Sequence, residues 1–480
     1  MCGLRLGTSS QSSKKKQLIS QPKTLQMIPK YQVKSRLLKF FFTACTLQFS
    51  CGLWAQSYIG AAMDNYAGVH AVVYNPANIF DSPYSSDINL VSASGYLGSD
   101  FIGLSFSDLL SSGGDFDFED DAERYPSDAN HFFTNIDVLG PSFMFNVGEK
   151  QSFAITTRVR GLFNLNNIEG NLYERISDGF EIGNDFEFDS RNLNATMHVF
   201  SEIGLTYGRE IVRTKDQFLK GGITLKYLMG AGGLFASSPE LSGDFNGVTN
   251  QLTTQGSISY GSTLGFDSDS IEFSDLQGGF GADIGLVYEY RKRIMDGRVQ
   301  GQRAQQYKFK MALALTDIGS INYKNSENTM YDANGDVNAL EFETKSVEEV
   351  LEDNYTGTSV TGTQKIALPT ALQIMADYYI GRRCYVGLHT GLSMQNSGKG
   401  NTNTLINTAT LAPRWESKWF SIYSPIGLRQ YGDMAWGLGL RLGPLTVGSG
   451  SVFTNLLSDN STNADLYVGL KIPLYKQVNF

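Results

Sequence analysis

Six charged residues are placed where chemistry inside a sheet could use them: Arg158, Arg160, Lys226, Asp283, Glu289 and Lys310. Each lies in an alternating stretch, on the phase opposite to apolar neighbours such as Ile155, Val159, Ile223, Leu225, Ile284, Leu286, Met311 and Leu313. Successive side chains of a strand point to opposite faces, so one face carries the charges and the other is apolar. Gathered inside a closed sheet, the six could line a path for a solute. They could equally compensate one another and hold a filled interior rigid, which is the simpler reading because an unpaired buried charge is costly.

Other patterns carry less chemistry. Asp332, Asn334, Asp336, Asn338 and Glu343 have the oxygen spacing of a calcium loop, but the turn position is Val337 where such loops need glycine, so a polar hairpin tip is expected and no metal. Ser346 and Glu349 are spaced as a capping box at the start of a short helix. The acidic, aromatic residues 115–123 read as a solvated outer loop. The four histidines, His70, His131, His198 and His389, stand in no nucleophile or metal motif, so neither an enzyme nor a cofactor is expected.

The elements that must position these residues are long strands. From Leu466 onward, Val468, Leu470, Ile472, Leu474, Val478 and Phe480 keep an apolar phase to the chain terminus, broken only by Lys476. A strand so long and greasy would recruit other chains at a solvated sheet edge, whereas it fits the closing strand of a barrel in lipid. Residues 142–147 and 151–164 form a hairpin pattern, and further runs around 223–229, 280–290 and 309–316 alternate in the same way. Short or basic connections at residues 148–151, 208–217, 291–306, 381–383, 415–418 and 443–444 alternate with long polar ones at 111–130, 166–191, 233–275 and 322–362. Short turns on one rim and long loops on the other are the asymmetry of an outer-membrane barrel. Counting from an outgoing strand near Asp100 gives about fourteen antiparallel strands, with residues 87–97 left as a further strand or part of a plug.

The N-terminal region reads as a leader. Lys34, Arg36 and Lys39 precede an apolar run from Phe40 to Leu47, and Ala55 precedes Gln56, which marks residues 1–55 as a secretory signal peptide. Met27 would give that leader an ordinary length, which makes residues 1–26 an over-extended start. A lipoprotein anchor at Cys45 is disfavoured by the aromatic Phe42 ahead of it. Nine of the 39 basic residues and none of the 48 acidic ones fall within the leader, so the remainder carries a net charge of −18 and nucleic acid is not a partner. Only Cys384 of four cysteines lies beyond it, which leaves no disulfide framework. Residues 56–86 do not alternate and are assigned to an N-terminal plug, with 87–480 as the barrel.

Within that plug Asn75, Pro76 and Ala77 stand just ahead of the barrel, and here the chain resembles the FadL-like family of outer-membrane channels. It is more similar still to a bacteroidete-type branch known only as a domain of unknown function. That likeness is carried by Gln56 and Ser57, Asp64 to Tyr66, Asp87 to Leu90, Gly140 to Ser142, Leu315 to Gly319 and Arg441 to Pro444. The C-terminal Phe480 likewise resembles the signal read by the barrel assembly machinery, which with outer-membrane lipid is an expected partner. The resemblance implies an all-β transmembrane barrel in the cell outer membrane that passes small hydrophobic solutes past its plug. It also leaves open a non-transporting barrel that serves a surface secretion or gliding-motility complex. Pro76 fixes one backbone torsion and Asn75 can cap the amides that follow, which suits a gating plug and a merely space-filling one alike.

Overall fold

The computed structural model describes residues 58–106, 122–180, 183–263, 276–291, 307–396, 401–432 and 434–476. The leader, most of the 111–130 and 291–306 connections, and Val478 and Phe480 lie outside the described residues. Twenty segments of one antiparallel sheet follow one another around a ring. Six pairs of consecutive segments share the same neighbours and are single strands interrupted by a bulge or insertion, so the wall has fourteen strands. In order these are β1 Tyr84–Ser99, β2 Asn130–Leu139 with Ser142–Val147, β3 Gln151–Ile168, β4 Phe186–Arg213 and β5 Gln217–Asn246. Then come β6 Gln251–Thr263 with Gln277–Tyr290, β7 Phe309–Asp332 with Gly335–Asn338, β8 Thr356–Ala367 with Ala371–Gly381 and β9 Cys384–Ser393. The circuit ends with β10 Thr408–Glu416, β11 Phe420–Tyr423 with Ile426–Arg429, β12 Ala435–Trp436 with Leu438–Leu442, β13 Leu445–Ser449 and β14 Asn463–Tyr475. β14 pairs antiparallel with β1 from Tyr475 opposite Tyr84 to Asn463 opposite Gly98, which closes the barrel and leaves no sheet edge at the seam.

Side-chain direction follows the period-two pattern. Along β3, Ala154, Thr156, Arg158, Arg160 and Leu162 are buried, while Ile155 and Val159 stand 44% and 51% exposed. Leu205, Leu225, Ile284 and Leu313 continue the outer skin on neighbouring strands. A closed sheet satisfies every backbone group internally, which lipid demands, and its apolar outer face meets the acyl chains. The chain is therefore a transmembrane β-barrel of the outer-membrane type. No helix among the described residues is long and apolar enough to cross a membrane.

Two features depart from the sequence reading. The first outgoing strand is β1, which starts at Tyr84, takes in residues 87–97 and precedes Asp100; it also claims the last three residues assigned to the plug. The connections expected at 233–275 and 322–362 are in large part wall, and the one at 166–191 is wall at both ends with the helix Gly170–Asp178 between them. β4 and β5 run for 28 and 30 residues, against the roughly 9–11 that cross a membrane, and their outer halves continue beyond the lipid. There the outer face meets water, so the apolar phase that marks a strand in sequence disappears. The raised wall encloses an apolar cluster of Leu172, Phe180, Phe188, Leu241, Phe245 and Leu252. Val347–Asn354 is a helix opened by the Ser346–Glu349 capping box. Asp336 lies in a strand that pairs with β6 and accepts from Thr253 Oγ1, so the calcium-like spacing belongs to a sheet.

Candidate functional site

The plug is built from short turns inside the barrel. Asn75 is extended, its Oδ1 accepts from Ala77 N at 2.9 Å, and Pro76 opens the one-turn helix Pro76–Ile79 that follows. The same side chain donates from Nδ2 to the wall carbonyls of Leu286 and Leu313 at 3.2 and 3.1 Å. It reaches them because the facing wall carries no side chains. Gly208, Gly222 and Gly285 are cross-strand neighbours on β4, β5 and β6. A Cβ on Gly222 would stand 2.5 Å from the Pro76 carbonyl carbon, and one on Gly285 would stand 2.1 Å from Asn75 Oδ1. The glycine row is a flat seat for the Asn-Pro-Ala turn.

Ionic ties fix the rest of the plug. Asp64 accepts from Arg441 Nε at 2.9 Å. Burial pushes its carboxyl up, but the guanidinium and the Tyr66 amide outweigh that and hold it well below the usual carboxylate range. Lys471 Nζ donates to the carbonyls of Tyr66 and Ala67 at 2.7 and 2.9 Å and approaches Asp87 at 3.3 Å. Lys220 Nζ donates to Phe80 O at 2.6 Å, and Arg291 pairs with Asp81. His70 is stacked on Tyr58 at 4.5 Å between ring centroids and shares Nε2 with Asn89 and Ser92. Burial, with Lys471 nearby, lowers its pKa to about 3, so the ring is neutral.

On the outer side of the plug the predicted charges meet partners. Arg158 Nε donates to Asp137 at 2.7 Å, and its Nη1 lies 3.4 Å from Glu202. Lys226 Nζ lies 2.9 Å from Asp283 and 2.6 Å from Asp317, which also accepts from Arg160 Nη1 at 2.8 Å. Asp317 reaches this point through a bulge in β7, where its φ is +57° and its amide donates to Asp283 Oδ1 at 2.7 Å. The other candidates lie nearer the short-turn rim. Lys310 is 3.8 Å from Asp377, which pairs with Arg414 at 2.6 Å, while Glu289 pairs with Arg291 at 2.6 Å. All six predicted residues are buried in the lumen, in two separate groups rather than one ring.

Sequence reasoning missed their counterparts Asp137, Glu202, Asp317, Asp377, Arg414, Arg441 and Lys471. Most sit on the same inward phase and were legible there; Lys471 lies between Leu470 and Ile472. Asp317 was not, because its bulge breaks the phase.

Among the described residues, the lumen is filled on both sides of this layer, by the plug and by an inserted loop. Residues 401–407, between β9 and β10, fold inward: Asn403 donates to Asn164 Oδ1 at 3.2 Å and shares a contact with His198 Nδ1 at 3.1 Å. Leu405 and Ile406 pack there against Leu162, Phe200, Leu228, Tyr96 and Phe133. Among the described residues, cavities of about 60 and 50 Å3 lie on the outer and inner sides of the plug. Each holds a few waters and falls far short of a solute-sized pocket.

A family model described as "Family of unknown function (DUF5723)" matches residues 76–450. The chain belongs to the DUF5723 family. The match opens inside the Asn-Pro-Ala turn and runs to Gly450, so the glycine seat and the charged layer both fall within the family's region. No curated protein matches. Among solved structures the chain is similar to the toluene transporter TodX of Pseudomonas putida, at 10% identity over 88% of this chain and 98% of that one, with a TM-score of 0.42. It is also similar to the toluene transporter TbuX of Ralstonia pickettii, at 8% identity, 88% and 96% coverage and a TM-score of 0.43. A FadL homologue of Pseudomonas aeruginosa matches at 10%, 88% and 98%, with a TM-score of 0.42.

Proposed function

We propose that this barrel is a plug-gated outer-membrane channel for small hydrophobic solutes, drawn in its shut state. The observation that carries the reading is the lining of the lumen between the charged layer and the outer wall. There Leu162, Phe200, Leu228, Ile321, Ile366 and Leu368 turn inward as one apolar cluster, beside the mutually hydrogen-bonded Asn164, His198, Tyr323 and Asn403. A barrel that conducts water and ions keeps a polar interior. An apolar interior instead lowers the free energy of an apolar solute, by roughly 25 cal/mol for each Å2 it removes from water. The plug bars the exit of that compartment, and its hold consists of discrete hydrogen bonds and ion pairs that can break together.

The second reading is a non-transporting barrel that acts as partner or scaffold of a secretion or motility complex, and the tightness of the same plug supports it. Flux separates the two. Uptake of labelled toluene and of a labelled sugar would be measured in lipopolysaccharide-containing proteoliposomes, with the intact protein and with residues 56–83 deleted. The channel reading expects toluene uptake above that of empty vesicles, no sugar uptake, and faster flux for the deleted form. Toluene uptake equal to that of empty vesicles for both forms, with the barrel verified by its heat-modifiable migration, would overturn it.

A further inference from the structure

The wall that rises beyond the lipid is bounded by two free edges, and they differ. Above Asn194, β4 runs on from Leu193 up to Phe186 with no strand on its β3 side, but that edge carries the exposed charges Glu187, Asp189 and Arg191. The chain also covers it, since Asn167 Nδ2 donates to Asn192 O at 3.0 Å and Glu169 N donates to Ser190 Oγ at 3.1 Å. Charge and cover are how proteins keep a sheet edge from recruiting strands.

The edge of β8 has neither. Its upper stretch, Thr356–Ala367, pairs with β7 on one side, while β9 on the other ends at Ser393, opposite Ala371. All eight residues from Thr356 to Thr363 are exposed, on both faces, and the run Thr-Gly-Thr-Ser-Val-Thr-Gly-Thr holds no charge and no proline. Among the described residues no strand lies against it. At its foot the chain already uses this edge: Thr402 forms a single bridge with Ala367, whose amide donates to Asn401 O at 3.3 Å. The edge-facing N–H and C=O groups above that bridge continue it as an exposed template for a further strand.

Geometry and charge select what docks there. Two barrels in one membrane are related by rotation about its normal, so their tilted β8 strands would rise in the same sense and cross rather than pair, which rules out a second copy. A lipid or a glycan has no amide array to match the edge, whereas extended polypeptide does. Antiparallel to β8, as β7 is, an added strand would run outward and end beside Glu352 and Asp353. Both are exposed at the C-terminal end of the helix Val347–Asn354, where the helix dipole adds negative charge.

We infer that the upper edge of β8 is a docking site for an extended segment of another protein, an uncharged stretch of about eight residues whose C-terminal end is basic. The inference goes beyond the channel reading and does not depend on it. The 11 residues Ala371–Gly381 already span the lipid, and the edge lies beyond them, away from the plug.

The test uses the detergent-solubilised full chain and a fluorescein-labelled peptide of alternating threonine and valine that ends in Lys-Arg. Main-chain bonding supplies the affinity, so a peptide of generic sequence suffices. Fluorescence anisotropy is expected to show binding, with amide hydrogen exchange over residues 356–363 slowed at least about tenfold at saturation and that of β4 unchanged. The same peptide N-methylated at alternate amides is expected to bind at least about tenfold more weakly, the worth of one hydrogen bond. Glu352→Lys, with heat-modifiable migration retained, is expected to weaken the parent peptide several-fold. No binding, equal binding of the N-methylated peptide, binding without protection of 356–363, or undiminished binding to the folded variant would overturn the inference. Protection that is present without peptide and lost on dilution would place a second copy on the edge and overturn it as well. The two peptides on the unaltered chain decide the matter even if the variant fails to fold. None of these measurements reads flux, so their failure would leave the channel reading standing, and absent toluene uptake would leave this site standing.

Discussion

Asp317 holds two cations at once, Arg160 at 2.8 Å and Lys226 at 2.6 Å, and no other carboxylate of the layer binds both. Removing one partner from a buried, hydrogen-bonded charge set strands the others, at a cost of about 3–5 kcal/mol. Asp317→Ala is therefore expected to lower the temperature at which the folded band is lost in heat-modifiability gels. Asp283→Asn should lower it much less, since Lys226 keeps Asp317 and has Glu202 at 3.8 Å; equal losses would refute the ranking. His70 gives a pH signature. Its folded pKa of about 3 lies below the free imidazole value, so the stability it contributes is complete above about pH 6.5 and declines as pH falls towards 3, by about 1.4 kcal/mol per unit. The groups around it, Lys471, Asp137, Asn89, Ser92 and Tyr58, offer no carboxylate in direct contact to take up an imidazolium. Protease sensitivity of the plug should rise below pH 6.5 in the native chain and stay flat in His70→Asn. The inward phase of the six predicted charges could be read from neighbouring apolar residues. Their pairings could not, because Arg158 and Glu202 stand 44 residues apart and Arg160 and Asp317 157 apart.

Among the elements, the plug turn and its glycine seat make one unit. The sequence shows the turn, since Asn before Pro at a helix start is a local signal, but the seat depends on three glycines that only the strand register aligns. Gly222→Val would drive a branched side chain into the Pro76 carbonyl and should unseat the turn without breaking the ladder, because valine suits a strand. Protease cleavage of the plug is expected to be several-fold faster than in the native chain, and an unchanged rate would show that the seat does not hold the plug. The β7 bulge is the converse case. The alternation read over 309–316 stops at a bulge, and that bulge is what delivers Asp317 to the lumen.

At the scale of the whole molecule the barrel is lopsided. β4 to β8 rise well past the membrane around an apolar cluster, whereas β13 has only five residues. The sequence by itself determined the architecture. Period-two alternation with an apolar outer phase is a local property, and a strand greasy on one face and charged on the other has few solutions other than a closed wall in lipid. It also determined which charges face inward and how the Asn75 turn is capped. Only the tertiary structure decided which charges meet, that much of 233–275 and 322–362 is wall, and that, among the described residues, the inserted 401–407 segment and the plug both fill the lumen. Those outcomes depend on register and on contacts between residues far apart in the chain, and no short window of sequence contains both partners.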